Sequence, residues 1–373
     1  MRKTLVVTND FPPRQGGIQS YVHELARRQP SGSLVVYASD HEGAAQFDAQ
    51  QPFPVVRHPG GLLVPTPTAT RRVVATLREH GATGVWFGAS APLGLMAPAL
   101  RRAGAERILA STHGHETGWA MLPGTRQLLR RIGNGCDVVT YITEYTRSKL
   151  APALGVHPQL VQLTPGVDVE TFHLDIDGMP VRARYGLTTR PVIVCVSRLV
   201  KRKGQDLLIE ALPEVRSRVP GTALLLVGSG PYEPHLRALA HRHGVSDDVV
   251  FAGGVDFANL PQHYAAGDVF AMPCRTRRAG LDVEGLGMVF LEASATGLPV
   301  VAGDSGGAPE AVRRGETGFV VSGRDRHALT RRLVQLLLDA DLRTAQGAAG
   351  RTWVEQQWAW DGIAAHLTDL LQA

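Results

Sequence analysis

The sequence predicts an α/β protein built from two doubly wound domains in tandem. Three observations predict it. The chain has 373 residues, more than one hydrophobic core usually organises. Short apolar runs rich in β-branched residues alternate with helical patterns, as βαβ units require. The alternation runs twice, on either side of a polar, proline-marked stretch, "PGVDVETFHLDIDGMPVRARYG".

In chain order, the first half offers the strands "TLVVTN", "SLVVYAS", "GVWFGA", "RILAST" and "DVVTYIT". The second half offers "PVIVCVS", "ALLLVGS", "VVFAGG", "DVFAMP" and "PVVAG". Each is mostly apolar throughout rather than alternating, which fits parallel strands covered on both faces. Helical patterns such as "IQSYVHELARR", "GQDLLIEALPEVRSR", "PYEPHLRALAHRHG" and "RHALTRRLVQLLLDA" fall between them. A linker is expected at about residues 166–188. That gives Rossmann-like domains over residues 1–170 and 171–352, facing across a cleft. A C-terminal helix over residues 353–373 is expected to pack back on the first domain, with Trp353, Trp358 and Trp360 used for packing. Ligands of such folds bind at the carboxyl ends of the strands, so the loops that follow strands are where chemistry is sought.

Composition narrows the class. At 44% hydrophobic and 20% charged residues the chain is globular. Cys136, Cys195 and Cys274 are widely spaced and form no C-x-x-C, which argues against a disulfide framework and fits a reduced, cytoplasmic protein. No apolar run approaches the ~20 residues of a membrane-spanning helix. "MRKTLVV" passes at once into "TNDFPP", too short for the apolar region of a signal peptide. The formal net charge is +5, and residues 1–174 hold 17 Lys and Arg against 12 Asp and Glu. The excess therefore lies in the first half, which points to an anionic partner there. Nucleic acid is not the expected one.

The second half carries the densest chemistry. In "EGLGMVFLEASATG", Gly285 and Gly287 precede a helix starting near Met288 and Val289. Free N–H groups and the positive dipole end make that helix start a phosphate site. Glu292, about one turn inside, suits a pair of sugar hydroxyls, and Glu284 can reach a group beyond the phosphate. After "PVIVCVS" comes "RLVKRKGQD", in which Arg198, Lys201, Arg202 and Lys203 crowd one strand-to-helix turn. Such crowding calls for a compensating anion, and a diphosphate fits. "LLLVGSGPY" repeats the strand-then-glycine pattern at Gly228 and Gly230, and backbone near Val255 is placed to meet a flat base.

In the first half, "NDFPPRQGGIQSY" sets Gly16 and Gly17 before a helix, with Gln19 at its start suited to a polyol. It is not G-x-G-x-x-G, which disfavours a nicotinamide dehydrogenase. "ASTHGHETGW" places His113 at a strand end and His115 two residues on. A zinc pair would need a third ligand, and none is near in sequence.

Arg198 and Lys203 in "SRLVKRKG", followed by "EGLGMVFLE", resemble the donor site of retaining glycosyltransferases of the GT-B fold, family 4. The resemblance covers essentially the whole chain. It implies that His113, Arg198, Lys203 and Glu284 carry the catalysis, His113 (with His115 in reserve) touching the donor sugar beside the reacting carbon. It implies that Gly16, Gly17, Val255, Gly285, Gly287, Met288, Val289 and Glu292 bind the nucleotide sugar, and that Asp10, Gln19 and Arg72 meet the acceptor. Within the family, "TNDFPPRQGGIQSY", "STHGHETGW" and "CRTRRAGLDVEGLGMVFLEASATG" are similar to actinobacterial mannosyltransferases of phosphatidylinositol mannosides. This implies GDP-mannose as donor, a mannosylated phosphatidylinositol as acceptor, an α-1,6 linkage, and peripheral work at the inner face of the cell membrane.

"TPTATRRVVATLREHG" and "LPGTRQLLRRIG" read as basic amphipathic helices, with Arg71, Arg72 and Arg78 in one and Arg126, Arg130 and Arg131 in the other, suited to an anionic leaflet. No carboxylate is placed as a nucleophile, so the leaving diphosphate is expected to take the acceptor proton. No metal is expected to be required, with Mg2+ at most non-essential. The D-x-D of Asp175 and Asp177 reads as solvated turn residues. Competing readings are a nucleotide-sugar hydrolase or epimerase, a non-catalytic sugar-nucleotide binder, and a family 4 transferase with a different donor or a soluble acceptor.

Overall fold

The computed structural model describes residues 1–373, apart from the side chain of Ala279. The chain divides into two compact units, one of Met1–Gly166 with Trp360–Ala373, the other of Val167–Ala359.

The first unit is built on β1 (Thr4–Thr8), β2 (Leu34–Ser39), β3 (Val55–His58), β4 (Gly84–Phe87), β5 (Arg107–Ser111), β6 (Val138–Tyr141) and β7 (Gln159–Gln162). They form one sheet in the order β3-β2-β1-β4-β5-β6-β7, and every pairing is parallel. The strands β1, β2, β4 and β6 are buried along their whole length. Their continuous apolar runs follow from helices covering both faces.

The second unit is built on β8 (Val192–Val196), β9 (Ala223–Val227), β10 (Val249–Gly253), β11 (Val269–Met272), β12 (Val300–Gly303) and β13 (Gly318–Val321). Their order is β10-β9-β8-β11-β12-β13, again all parallel. In both sheets the order reverses once, between β1 and β4 and between β8 and β11. Chains leaving the carboxyl ends of those strands diverge and open a crevice.

Two sequence expectations change. The stretch 167–188 is no linker: Phe172 and Val181 are buried in the second core, and Met179–Arg184 is helical. The expected C-terminal helix is two helices, Ala340–Gln357 and Trp360–Gln372. Residues 353–359 belong to the second unit, because Trp353 and Trp358 are buried in its core and pack edge to face at 5.5 Å. From Trp360 onward the chain belongs to the first unit, where Trp360, Ile363 and Leu367 are buried with Tyr21 and Leu25.

All three cysteines are buried and unpaired. Asp175 and Asp177 are exposed, and Asp177 accepts the backbone N–H of Met179 at 2.8 Å. Among the described residues, no helix is long and apolar enough to cross a membrane.

Candidate active site

The second unit assembles its site at the reversal between β8 and β11. After β8 the chain runs through Arg198 into a short 3-10 turn, Lys201–Lys203, and then the helix Gln205–Arg218. Gly204 joins turn to helix at φ +82°, and a Cβ there would lie 2.1 Å from the Pro273 carbonyl oxygen. Only glycine allows that approach. Gln205 donates from Nε2 to Ser197 Oγ at 2.9 Å and to the Arg198 carbonyl at 3.0 Å. The helix start thus holds the Arg198 loop in place. Arg198 itself is exposed and makes no ion pair among the described residues.

Lys203 is turned inward and is only 8% exposed. Its Nζ lies 2.7 Å from Oε2 of Glu284, itself 7% exposed, at the end of the chain that leaves β11. Two charges so buried need each other: breaking such a pair by removing one partner costs about 3–5 kcal/mol. Arg202 stands 3.7 Å from the same carboxylate oxygen and 3.6 Å from Asp282. The Glu284 backbone is fixed as well, its N–H donating to Ser305 Oγ at 3.1 Å and its carbonyl accepting from the Gly307 N–H at 3.0 Å.

Three residues beyond Glu284, Gly287 caps the helix Met288–Ala295 at φ +85° with no side-chain cap. The first-turn N–H groups around Met288 and Val289 thus have no partner from a cap side chain and can serve an anion. Glu292, one turn on, is half-buried, and its Oε2 accepts the phenol proton of fully buried Tyr264 at 2.5 Å. Burial pushes the Glu292 carboxyl above the usual carboxylate range. Val255, after β10, lines a cavity of about 370 Å3 with Arg184, Tyr185 and His263.

The first unit builds a different cluster at its own reversal. After β1, Asp10 donates its N–H to Thr8 Oγ1 at 2.8 Å and accepts Gln19 Nε2 on Oδ1 at 2.8 Å. Gln19 is buried in the first turn of the helix Gly17–Arg27, with Gly16 and Gly17 exposed at its head. Asp10 and Gln19 are therefore one hydrogen-bonded unit, which the sequence did not pair.

After β5, His113 points Nε2 at the Gly88 carbonyl, 2.7 Å away. A carbonyl only accepts, so Nε2 carries the proton and Nδ1 is left as the acceptor. Burial lowers the His113 pKa below the ordinary value, which favours that neutral form. The ring is also held edge-on by Tyr21 at 5.0 Å. His115 is exposed, with its ring parallel to that of His113 at 6.3 Å.

Sequence reasoning missed Glu116, which is fully buried. Its Oε2 accepts the backbone N–H groups of His113 and Gly114, each at 3.0 Å, and its Oε1 accepts Ser90 Oγ at 3.2 Å. It shapes the loop that carries His113. Asp206 and Arg275, a buried ion pair joining the chains after β8 and β11, were also missed.

Arg72 is exposed on the helix Pro67–Glu79, and its charge reaches the hydrogen-bonded pair Tyr37–His58, 2.9 Å apart. The helix itself corrects an expectation. Val73 and Leu77, its apolar stripe, are buried in the core, as are Leu129 and Ile132 of the second basic helix, Pro123–Gly135. Neither stripe is available to a lipid surface. What stays exposed beside the arginines is Leu62 and Val64 before the first helix and Met121 and Leu122 before the second.

Most residues of these two clusters fall within two sequence patterns. Residues 15–171 match the family described as Glycosyltransferase Family 4, and residues 181–353 match Glycosyl transferases group 1. The GDP-mannose-dependent alpha-(1-6)-phosphatidylinositol monomannoside mannosyltransferase of Mycobacterium tuberculosis is 54% identical over 379 residues, covering 100% of this chain and 98% of the relative. A GDP-mannose-dependent monoacylated alpha-(1-6)-phosphatidylinositol monomannoside mannosyltransferase of Corynebacterium glutamicum is 50% identical over 377 residues, covering 100% and 98%. The fold is that of Anabaena Alr3699/HepE crystallised with UDP, at a TM-score of 0.81 and 20% identity with both chains fully covered. Two parallel sheets with a polar cluster at each strand reversal, and a sequence match that runs from end to end, lead to one assignment: the chain belongs to the family 4 glycosyltransferases of GT-B fold.

Proposed function

We propose that this chain transfers mannose from GDP-mannose to a mannosylated phosphatidylinositol, forming an α-(1-6) linkage with retention at the anomeric carbon. The donor and acceptor follow relatives 50–54% identical over the whole chain, which are named for that reaction. The chemistry rests on one observation, the buried Lys203–Glu284 pair at 2.7 Å between the chains leaving β8 and β11.

Breaking the bond between sugar and phosphate leaves charge on the departing diphosphate. Lys203 and Arg198 supply cations for it, and the start of the helix Met288–Ala295 supplies N–H dipoles. Fixed charge of this kind lowers a barrier because it meets charge that grows in the transition state. Glu284 offsets the desolvation of Lys203 and holds it in place. The departing diphosphate takes the proton of the acceptor hydroxyl on the same face, which preserves configuration without a protein nucleophile. His113 offers a neutral Nδ1 acceptor to a sugar hydroxyl, and Glu292 faces the ribose.

The lipid acceptor brings the enzyme to an anionic leaflet. The contact we propose uses the exposed loops rather than the helix stripes: Leu62, Val64, Met121 and Leu122 enter the interface, and Arg71, Arg126 and Arg130 meet lipid phosphates, at about 1 kcal/mol for each basic residue near the surface. Binding to vesicles with anionic lipid should then weaken with salt, and Leu62→Ser with Leu122→Ser should reduce it. Equal binding to neutral vesicles would count against this contact.

The transfer reading is tested with labelled GDP-mannose and three conditions: phosphatidylinositol, its monomannoside, and no acceptor. Label should enter lipid only with the monomannoside. Label in phosphatidylinositol itself moves the enzyme one step earlier, and free mannose without acceptor makes it a hydrolase.

A further inference from the structure

Along the chain after β11 that carries Glu284, the second unit has another opening, of about 470 Å3. Four arginines line it: Arg275, Arg277 and Arg278 from the chain after β11, and Arg324 from the turn after β13. Asp304 is the one carboxylate among the lining residues, and its Oδ1 accepts the Gly323 N–H at 3.1 Å.

Two of the guanidinium groups are already matched. Arg275 pairs with Asp206, and Arg277 lies 3.5 Å from Asp282. The other two are not. Arg324 gives one nitrogen to the Thr276 carbonyl at 2.9 Å and meets no carboxylate among the described residues, and Arg278 has no ion-pair partner among them. Both side chains are exposed at the cavity rim. The backbone holds Arg278 there. Arg277 and Asp282 exchange both main-chain hydrogen bonds, 2.9 and 3.2 Å, closing a hairpin. Within it Arg278 takes φ +50°, the one non-glycine residue with positive φ among the described residues. Strain of this kind persists where surrounding structure fixes a residue whose position is used.

Spare guanidinium groups gathered on one cavity repel each other until an anion enters, and their forked donors match phosphate oxygens. We propose that this cavity, on the same chain after β11 that ends at Glu284, is a second anion site lined by side chains other than Arg198 and Lys203, and that it takes a phosphate group between Arg278 and Arg324. A phospholipid headgroup and free phosphate share that chemistry. The site needs only these arginines, so it stands or falls apart from the choice of donor and acceptor.

The test is calorimetric titration of the full chain with inorganic phosphate and with glycerophosphoinositol. Three proteins are compared: the unaltered chain, Arg278→Glu with Arg324→Glu, and Arg198→Glu. Both reversed arginines are exposed, and an unchanged melting temperature checks that the fold is kept. The double reversal should weaken binding about a hundredfold, since two charge-assisted bonds are lost. Arg198→Glu should leave a phosphate site that Arg278→Glu with Arg324→Glu abolishes. Glycerophosphoinositol bound at least about tenfold tighter than phosphate identifies a headgroup site, and equal affinity identifies a free-phosphate site. Either result supports the proposal. Binding unchanged by the double reversal, or neither probe bound by the unaltered chain, overturns it.

Discussion

The two units build their candidate clusters at the same point of the same topology, yet they hold them with different forces. In the second unit the site is tied by charge. Lys203 meets Glu284 at 2.7 Å, Arg202 stands beside them, and Arg275 pairs with Asp206. In the first unit neutral donors do the holding: Gln19 on the Asp10 carboxylate at 2.8 Å and His113 on the Gly88 carbonyl at 2.7 Å, with the buried carboxylate of Glu116 surrounded by N–H and O–H groups. A diphosphate changes charge as it leaves and is best met by fixed cations. A sugar hydroxyl keeps its charge and is best met by oriented donors and acceptors. Substitutions in the second unit should therefore act through charge, and those in the first through geometry.

The largest effect expected is that of Lys203→Ala. Removing a preorganised cation should lower kcat/KM by roughly 10²–10³-fold. It also leaves Glu284 buried without its ammonium, so thermal or denaturant unfolding should show a loss of about 3–5 kcal/mol. The double change Lys203→Met with Glu284→Leu sharpens the contrast. It removes the unpaired charge, so much of the stability should return while activity stays lost. An active double variant would break the view that charge, rather than rigidity, is what this site supplies. Arg198→Ala should separate the two effects the other way, with activity lost and stability unchanged, because Arg198 is exposed and makes no ion pair among the described residues.

Next in size is Glu116→Ala in the first unit. Two N–H groups and a hydroxyl lose their acceptor, at about 1–3 kcal/mol for each buried group left unsatisfied. His113 then loses its placement, and kcat should fall about 10–100-fold, more than Glu116→Gln, which keeps an acceptor oxygen. The pH profile gives a finer test. His113 titrates below the ordinary 6.5 because burial disfavours the charged ring. The unfolded chain thus takes up this proton more readily than the folded one. The stability that this residue contributes is complete above pH 6.5 and declines as pH falls from there through the folded value. Activity should follow with an acid limb below pH 6.5 that His113→Asn removes. An acid limb unchanged in His113→Asn would mean that another group controls it.

Much of this was legible in the sequence, for reasons that also mark the limit. Central strands such as β1, β8 and β9 are buried at every residue, so their apolar runs stand out. The strands not expected, β3, β7 and β13, lie at sheet edges, where runs such as "QLVQ" are half-exposed and lose contrast. Lys203 and Glu284 were each visible beside glycine turns, but their pairing spans 81 positions and needs the β8–β11 adjacency to appear. Glu116 was invisible because "HGHET" reads as a polar loop, and only burial shows its three acceptor contacts. The basic helices show the opposite failure. A helical stripe of Val73 and Leu77 has the same period whether it faces lipid or core, and here it faces the core.

The smallest expected effect concerns metal. Asp175 and Asp177 form the D-x-D that a divalent ion would favour, and a pair of carboxylates serving a diphosphate through a metal would make the second-unit cations secondary. Both side chains are instead exposed, Asp175 98% so, on the stretch before the helix Met179–Arg184, where Asp177 accepts the Met179 N–H. Surface positions of this kind alter stability by less than about 0.5 kcal/mol. Asp175→Asn with Asp177→Asn should therefore change the transfer rate by no more than about twofold, and excess chelator should do no more. If Lys203 and Arg198 neutralise the departing diphosphate, the rate with chelator stays dependent on both. If chelator instead abolishes transfer in the unaltered chain, the second unit's charge is a framework for a metal rather than a substitute for one, and the contrast between the two units would have to be redrawn around that ion.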